Sequence, residues 1–182
     1  MHFHTLLITA TLYGLSLANY DINLYKRTNC KGTAGETCSN VAPGYCCSRT
    51  STKTSHIWSR WGSAGFTETG GGASSDQIKA YTPSGDDACS LPVATSNTCA
   101  SESSKQITGA AVFVVVTYGS RFRRNDAPIA GYVEPDLYFY EDGTTRHTLA
   151  IRSAQGEAFA KLDSEEDQIN FLKEHGQRSP VN

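Results

Sequence analysis

"DLYFYEDGTTRHTLAIR", residues Asp136 to Arg152, sets Asp142-Gly143 between two runs in which aromatic or branched residues alternate with polar ones. Asp-Gly accommodates the tight connection between antiparallel strands, and a period of two gives each strand one face toward a core. The stretch predicts a β-hairpin and, with it, an antiparallel sheet. Upstream, "GAAVFVVVTYG" (109–119) is the most hydrophobic run and is rich in β-branched residues. It has strand length and predicts a central strand buried on both faces. "IAGYVE", "DINLY", "GYCCSRT", "SHIWSRW" and "QIKAYT" are further strand candidates.

Two stretches read differently. "GSAGFTETGGGASSD" (62–76) has the Gly/Ser content of a long surface loop, and residues 86–105 also read as loop. Downstream, "LDSEEDQINFLKEHG" predicts a helix over about 164–175. Asp163 or Ser164 can cap it, acids crowd its first turn, Lys173 and His175 sit near its end, and Gly176 stops it. The tail, 177–182, reads as frayed.

Four of six cysteines fall within "NCKGTAGETCSNVAPGYCC" (29–47). Zinc needs paired C-x-x-C or C…H spacings and thiol redox chemistry wants C-x-x-C, and neither pattern occurs. Residues 1–18, "MHFHTLLITATLYGLSLA", have the apolar run and small-residue exit of a secretory signal peptide. In an oxidising compartment, Cys30, Cys38, Cys46, Cys47, Cys89 and Cys99 read as disulfide staples. The strained pair between adjacent Cys46 and Cys47 is set aside, which leaves about a dozen connectivities. On a strand these two side chains point to opposite faces. A local bridge between Cys89 and Cys99, across "SLPVATSNT", is one expectation.

The expected fold is mainly β: a single disulfide-stapled antiparallel β-sandwich or barrel-like domain over 19–182 with one C-terminal α-helix. Formal charge −2 and pI near 6.2 argue against a nucleic-acid binder, which needs a broad basic face. No later stretch has the length to span a membrane. "LYKR" (24–27) resembles a dibasic processing site, but its segment reads better as the first strand.

Chemical signatures are sparse. No G-x-S-x-G or H-E-x-x-H surrounds any histidine. Glu134, Asp136, Glu141 and Asp142 are acids near a hairpin, which are more often turn formers than a glycosidase pair. No EF-hand spacing supports calcium at Asp86-Asp87 or Glu141-Asp142. No catalytic, metal or cofactor residue is assigned. Trp58 and Trp61 could anchor a partner, although core packing is the default for both. Arg121, Arg123 and Arg124 lie in "SRFRRND", a basic loop suited to an anionic partner patch.

The pattern C-K-G-T-A-G-E-T-C…P-G-Y-C-C, with its signal peptide and the later cysteine pair before "ITGAAVFVV", resembles fungal small secreted cysteine-rich proteins, candidate effectors. "INLYKRTNCKG" is similar to the aromatic-then-glycine pattern of βγ-crystallin-like domains, without their repeated Greek-key serines and calcium residues. The effector resemblance implies action on a host component, often outside the cell; the leading reading is a monomeric, extracellular virulence protein that binds a host extracellular protein, such as an apoplastic protease that it inhibits. No cofactor, nucleic-acid partner or membrane span is expected. A secreted toxin or antimicrobial, or a carbohydrate-active hydrolase, is the alternative.

Overall fold

The computed structural model describes residues 18–30, 34–49, 61–85, 87–103, 106–115, 117–118, 121–122 and 128–181. In chain order the strands are β1 (Asn19–Tyr25), β2 (Ala34–Val41), β3 (Tyr45–Ser48), β4 (Ser63–Gly70), β5 (Gln77–Ser84), β6 (Asp87–Ser96) and β7 (Cys99–Ser101). They continue with β8 (Gly109–Phe113), β9 (Thr117–Tyr118), β10 (Arg121–Phe122), β11 (Gly131–Val133), β12 (Leu137–Asp142) and β13 (Thr145–Ala150). Helices α1 (Ala154–Phe159) and α2 (Glu165–His175) precede β14 (Gln177–Pro180).

A seven-stranded sheet has the order β14-β13-β12-β2-β1-β4-β7, a five-stranded sheet has β11-β3-β8-β5-β6, and β9 pairs with β10. Among the described pairings only β3–β11 is parallel. The chain is thus a mainly β, sandwich-like domain stapled by disulfides. Alternation decides which way each strand faces. In β1, Tyr20, Ile22 and Leu24 are fully buried in the main core, while Asp21, Asn23 and Tyr25 point to the other face. Each fully buried aliphatic side chain contributes about 1.5–3 kcal/mol.

The five-stranded sheet covers part of this inner face, with Ile78, Ala80, Ala110 and Val112 in the shared core. The helices cover the rest, bringing Phe159 and Leu172 against Tyr138 and Leu149. Ser164 caps α2 by accepting from Asp167 N at 3.0 Å. The Asp-Gly hairpin forms as expected: Asp142 pairs with Thr145, and Gly143 takes φ +69° in the two-residue turn. β8 is central and buried on both faces, although it ends at Phe113, short of the expected run. Its Ala111 and Phe113 join Tyr81, Cys46 and Cys89 in a second apolar cluster.

Four expectations are corrected. The Gly/Ser stretch 62–76 contains β4, which lies between β1 and β7; its small residues Ser63, Ala64 and Gly65 are buried where larger ones would crowd neighbouring strands. Residues 86–105 contain β6 and β7, not a continuous loop. The tail is β14, an edge strand on β13. Cys89 does not bridge Cys99, because β6 runs extended between them. Seven strand residues span ~20 Å, far beyond the ~7 Å Cα limit of a disulfide.

The bridges are Cys30–Cys99, Cys38–Cys47 and Cys46–Cys89, and none of the six cysteines is free. Cys46 and Cys47 face opposite sides of β3, as strand geometry requires. Cys47 reaches β2 through the main core, joining the two sheets, and Cys46 ties β3 to β6 in the second cluster.

Candidate functional site

The face of β1 turned away from the main core carries Asp21, Asn23 and Tyr25, and the same register puts Thr37 of β2 and Leu137, Phe139 and Glu141 of β12 beside them. Arg146 and Thr148 of β13 complete the row. All of these but Phe139, with Cys30, Thr67 and Ser179–Val181, line a cleft of about 420 Å³. β4 and β14 both contribute, yet five strand spacings, ~24 Å in a flat sheet, separate them. The seven-stranded sheet therefore curls around the cleft.

Arg146 sits at its centre. Its Nη1 donates to Glu141 Oε1 at 3.0 Å, and its Nη2 donates to Asn23 Oδ1 at 2.6 Å and to Thr37 Oγ1 at 2.7 Å. Thr37 Oγ1 donates to Asn23 Oδ1 at 2.8 Å. The guanidinium lies 4.1 Å from the centroid of the Phe139 ring, which meets Tyr25 edge to face at 5.2 Å. Phe139 can lie flat across β2 only because residue 35 is glycine; a Cβ there would come within 2.6 Å of the ring. Burial raises the Glu141 carboxyl against the pull of Arg146. Burial, helped by Glu141 and opposed by Arg146, pushes the Tyr25 phenol up to about 12. The phenol is therefore a hydroxyl donor at any physiological pH.

On the inner face, at the neighbouring β2 position, Glu36 is fully buried and paired with Arg49 just past β3. Arg49 Nε donates to Glu36 Oε2 at 2.8 Å, one Nη2 proton goes to Glu36 Oε1, and Nη2 also donates to Tyr138 OH at 3.1 Å. Burial raises the Glu36 carboxyl, against the pull of Arg49 and Lys26, to about 7. This pair bridges the two sheets and does not line the Arg146 cleft.

The acids around the hairpin disperse. Asp136 Oδ1 accepts from Ser39 N at 2.9 Å, Glu134 lies 3.8 Å from Arg152, and Asp142 lies 3.4 Å from the buried His147. Asp87 accepts from Tyr132 OH at 2.6 Å and from Cys89 N at 2.9 Å. Among the described residues, no group of three or more His, Cys, Asp or Glu is arranged to hold a metal ion, and no helix is long and apolar enough to cross a membrane.

Of the residues proposed to meet a partner, Trp61 is buried in the main core, bridged to Ile107, and is not a surface contact: its indole fills the space where β4 begins. Trp58, Arg123 and Arg124 lie outside the described residues, and Arg121 is placed only as the start of β10. The Arg146 network was missed from sequence, although one signal was present. With a two-residue turn at 143–144, Glu141 and Arg146 must stand directly opposite one another. Asn23 and Thr37 lie more than a hundred residues away and left no such trace.

Residues 21–136, well over half of the chain, match the ARB_05566_N family, described as an N-terminal domain. The chain belongs to the ARB_05566_N family. No curated protein and no solved structure matches it. The ARB_05566_N region ends one residue before β12, yet β12 pairs with β2 and extends the same sheet. Asp21, Asn23, Tyr25, Thr37 and Thr67 lie inside the ARB_05566_N region, whereas Glu141, Arg146, Thr148 and β14 lie beyond it.

Proposed function

We propose that the chain is an exported, effector-like protein that acts by binding a host extracellular protein, an apoplastic protease that it inhibits, in support of virulence. The observation that carries this reading is the pairing of all six cysteines into three bridges that reach both sheets. Such staples suit an oxidising compartment. They also hold the connection after β1, the start of β6 and the start of β7 in fixed shapes. Surfaces ordered before docking lose less entropy on association, which favours an inhibitor over a flexible linker.

The test uses residues 19–182, oxidised, titrated against the proteolytic activity of plant apoplastic fluid. Loss of activity at a fixed stoichiometry is the expected result, weakened when Arg121, Arg123 and Arg124 are reversed in charge. Unchanged proteolysis at a large excess, or multiple-turnover hydrolysis by the purified protein itself, overturns the reading.

A further inference from the structure

The Arg146 cleft has the size and wall chemistry of a small-molecule site, and its charges restrict the occupant. Small-ligand sites typically enclose ~300–1,000 Å³, and this one is about 420 Å³. Among the described residues the lining cation is Arg146, matched by Glu141 at 3.0 Å, and Asp21 adds a second carboxylate. Among the described lining residues, an entering anion meets a positive charge that is already paired and a nearby negative one. A cation fares little better: Glu141 already faces Arg146, and Asp21 Oδ1 accepts the Asn40 N–H at 2.9 Å.

What remains on the walls is hydroxyl and amide chemistry. Thr67, Thr148, Ser179 and Tyr25 bring hydroxyls to the walls, while the Thr37 hydroxyl and the Asn23 amide oxygen form a floor already bonded to each other and to Arg146. Leu137, Pro180 and Val181 supply an apolar rim. We propose that this cleft binds an uncharged, hydroxyl-rich ligand, a mono- or disaccharide in chemical class. A sugar hydroxyl donates to one neighbour while accepting from another, which matches carboxylates and a guanidinium that alternate with hydroxyls. Its C–H faces match the apolar rim.

The walls are set before a ligand arrives. Asn23 and Thr37 are almost completely buried and bonded to each other, and Arg146 is fixed from below by Phe139 and from the side by Glu141. The cleft also spans the family boundary, with β1 and β2 on one wall and β12 to β14 on the other. The inference goes beyond the protein-binding reading, because its occupant is a small ligand and its test uses Thr148 and Glu141 instead of Arg121, Arg123 and Arg124.

The test is an amide-resolved NMR titration of the oxidised 19–182 protein with cellobiose, chitobiose and mannobiose, and separately with sulfate and with ethanolamine. At least one disaccharide is expected to give saturable shifts at Asn23, Thr37 and Thr148, with no response to the two ions. Thr148→Val removes one cleft hydroxyl at constant shape and is expected to weaken binding ~10-fold, the loss typical of one hydrogen bond. Glu141→Gln tests the same wall by a different atom, and thermal denaturation of both variants reports whether they remain folded. Three results each overturn the proposal. One is no saturable response to any disaccharide up to ~10 mM, the weak end of the affinity scale. Another is binding of sulfate or ethanolamine in the cleft instead. The last is disaccharide affinity unchanged in both variants.

Discussion

Removing the Arg49 guanidinium while keeping its aliphatic stem, Arg49→Met, leaves the fully buried Glu36 without its counter-charge. Breaking one side of a buried ion pair costs about 3–5 kcal/mol, because the remaining carboxylate must be desolvated unpaired or take up a proton. Against a total stability of ~5–15 kcal/mol, that is a large fraction. The double variant Glu36→Gln with Arg49→Met buries no charge and should recover most of the loss. The wild-type protein carries a related pH dependence. The Glu36 carboxyl is raised from 4.5 to about 7 in the fold, so the folded state binds this proton more tightly than the unfolded chain. Its contribution is present in full below pH 4.5 and is lost as pH rises through 7. Linkage over that interval corresponds to roughly 3 kcal/mol. Urea denaturation with disulfides intact, at pH 5 and pH 8, measures both effects. The reasoning fails if Glu36→Gln loses as much stability as wild type between these pH values, or if Arg49→Met costs less than about 1 kcal/mol.

Phe139→Ala removes the ring beneath Arg146 and beside Tyr25, and should cost about 3–5 kcal/mol in chemical denaturation. A protease specific for paired basic residues should leave the folded chain uncut after Arg27 by intact mass. There, Lys26 is half-buried, the Arg27 carbonyl accepts from Ser63 Oγ at 2.6 Å, and Gly62 N donates to Tyr25 O at 2.9 Å. Alkylation without reductant should label no cysteine, and replacing Cys38 and Cys47 together by serine should cost about 2–4 kcal/mol. A fragment ending at Asp136 should aggregate in light scattering where the full chain does not, since loss of β12 leaves β2 as a bare, half-buried edge.

The elements that sequence made legible are those whose signal is local. The hairpin turn at Gly143, the capped helix after Ser164 and the run at 109–113 each carry their cause within a dozen residues. β4 and β6 were hidden because their stability is not their own. Small and polar residues such as Ser63, Gly65 and Thr95 look like loop until strands from elsewhere satisfy their backbone. The acids show the same divide. Glu141 opposite Arg146 follows from turn geometry, whereas the burial of Glu36 depends on Arg49 and Tyr138, from two other strands' neighbourhoods. Cysteine chemistry was legible as staples but not as a wiring diagram, because the partner of Cys89 depends on how far β6 runs before it turns.

The adjacency of Cys46 and Cys47 also makes oxidation a check on strand register. A slip of β3 by one residue against β8 would turn every side chain to the other face, presenting Cys46 to Cys38 and Cys47 to Cys89. The swapped isomer is covalently complete, and no thiol would report the error. It would nevertheless drive Tyr45 to the face that Cys46 shares with the second cluster and Ser48 to the face that Cys47 shares with the main core. Correct pairing of these two bonds therefore depends on the sheets closing in register before the bonds lock.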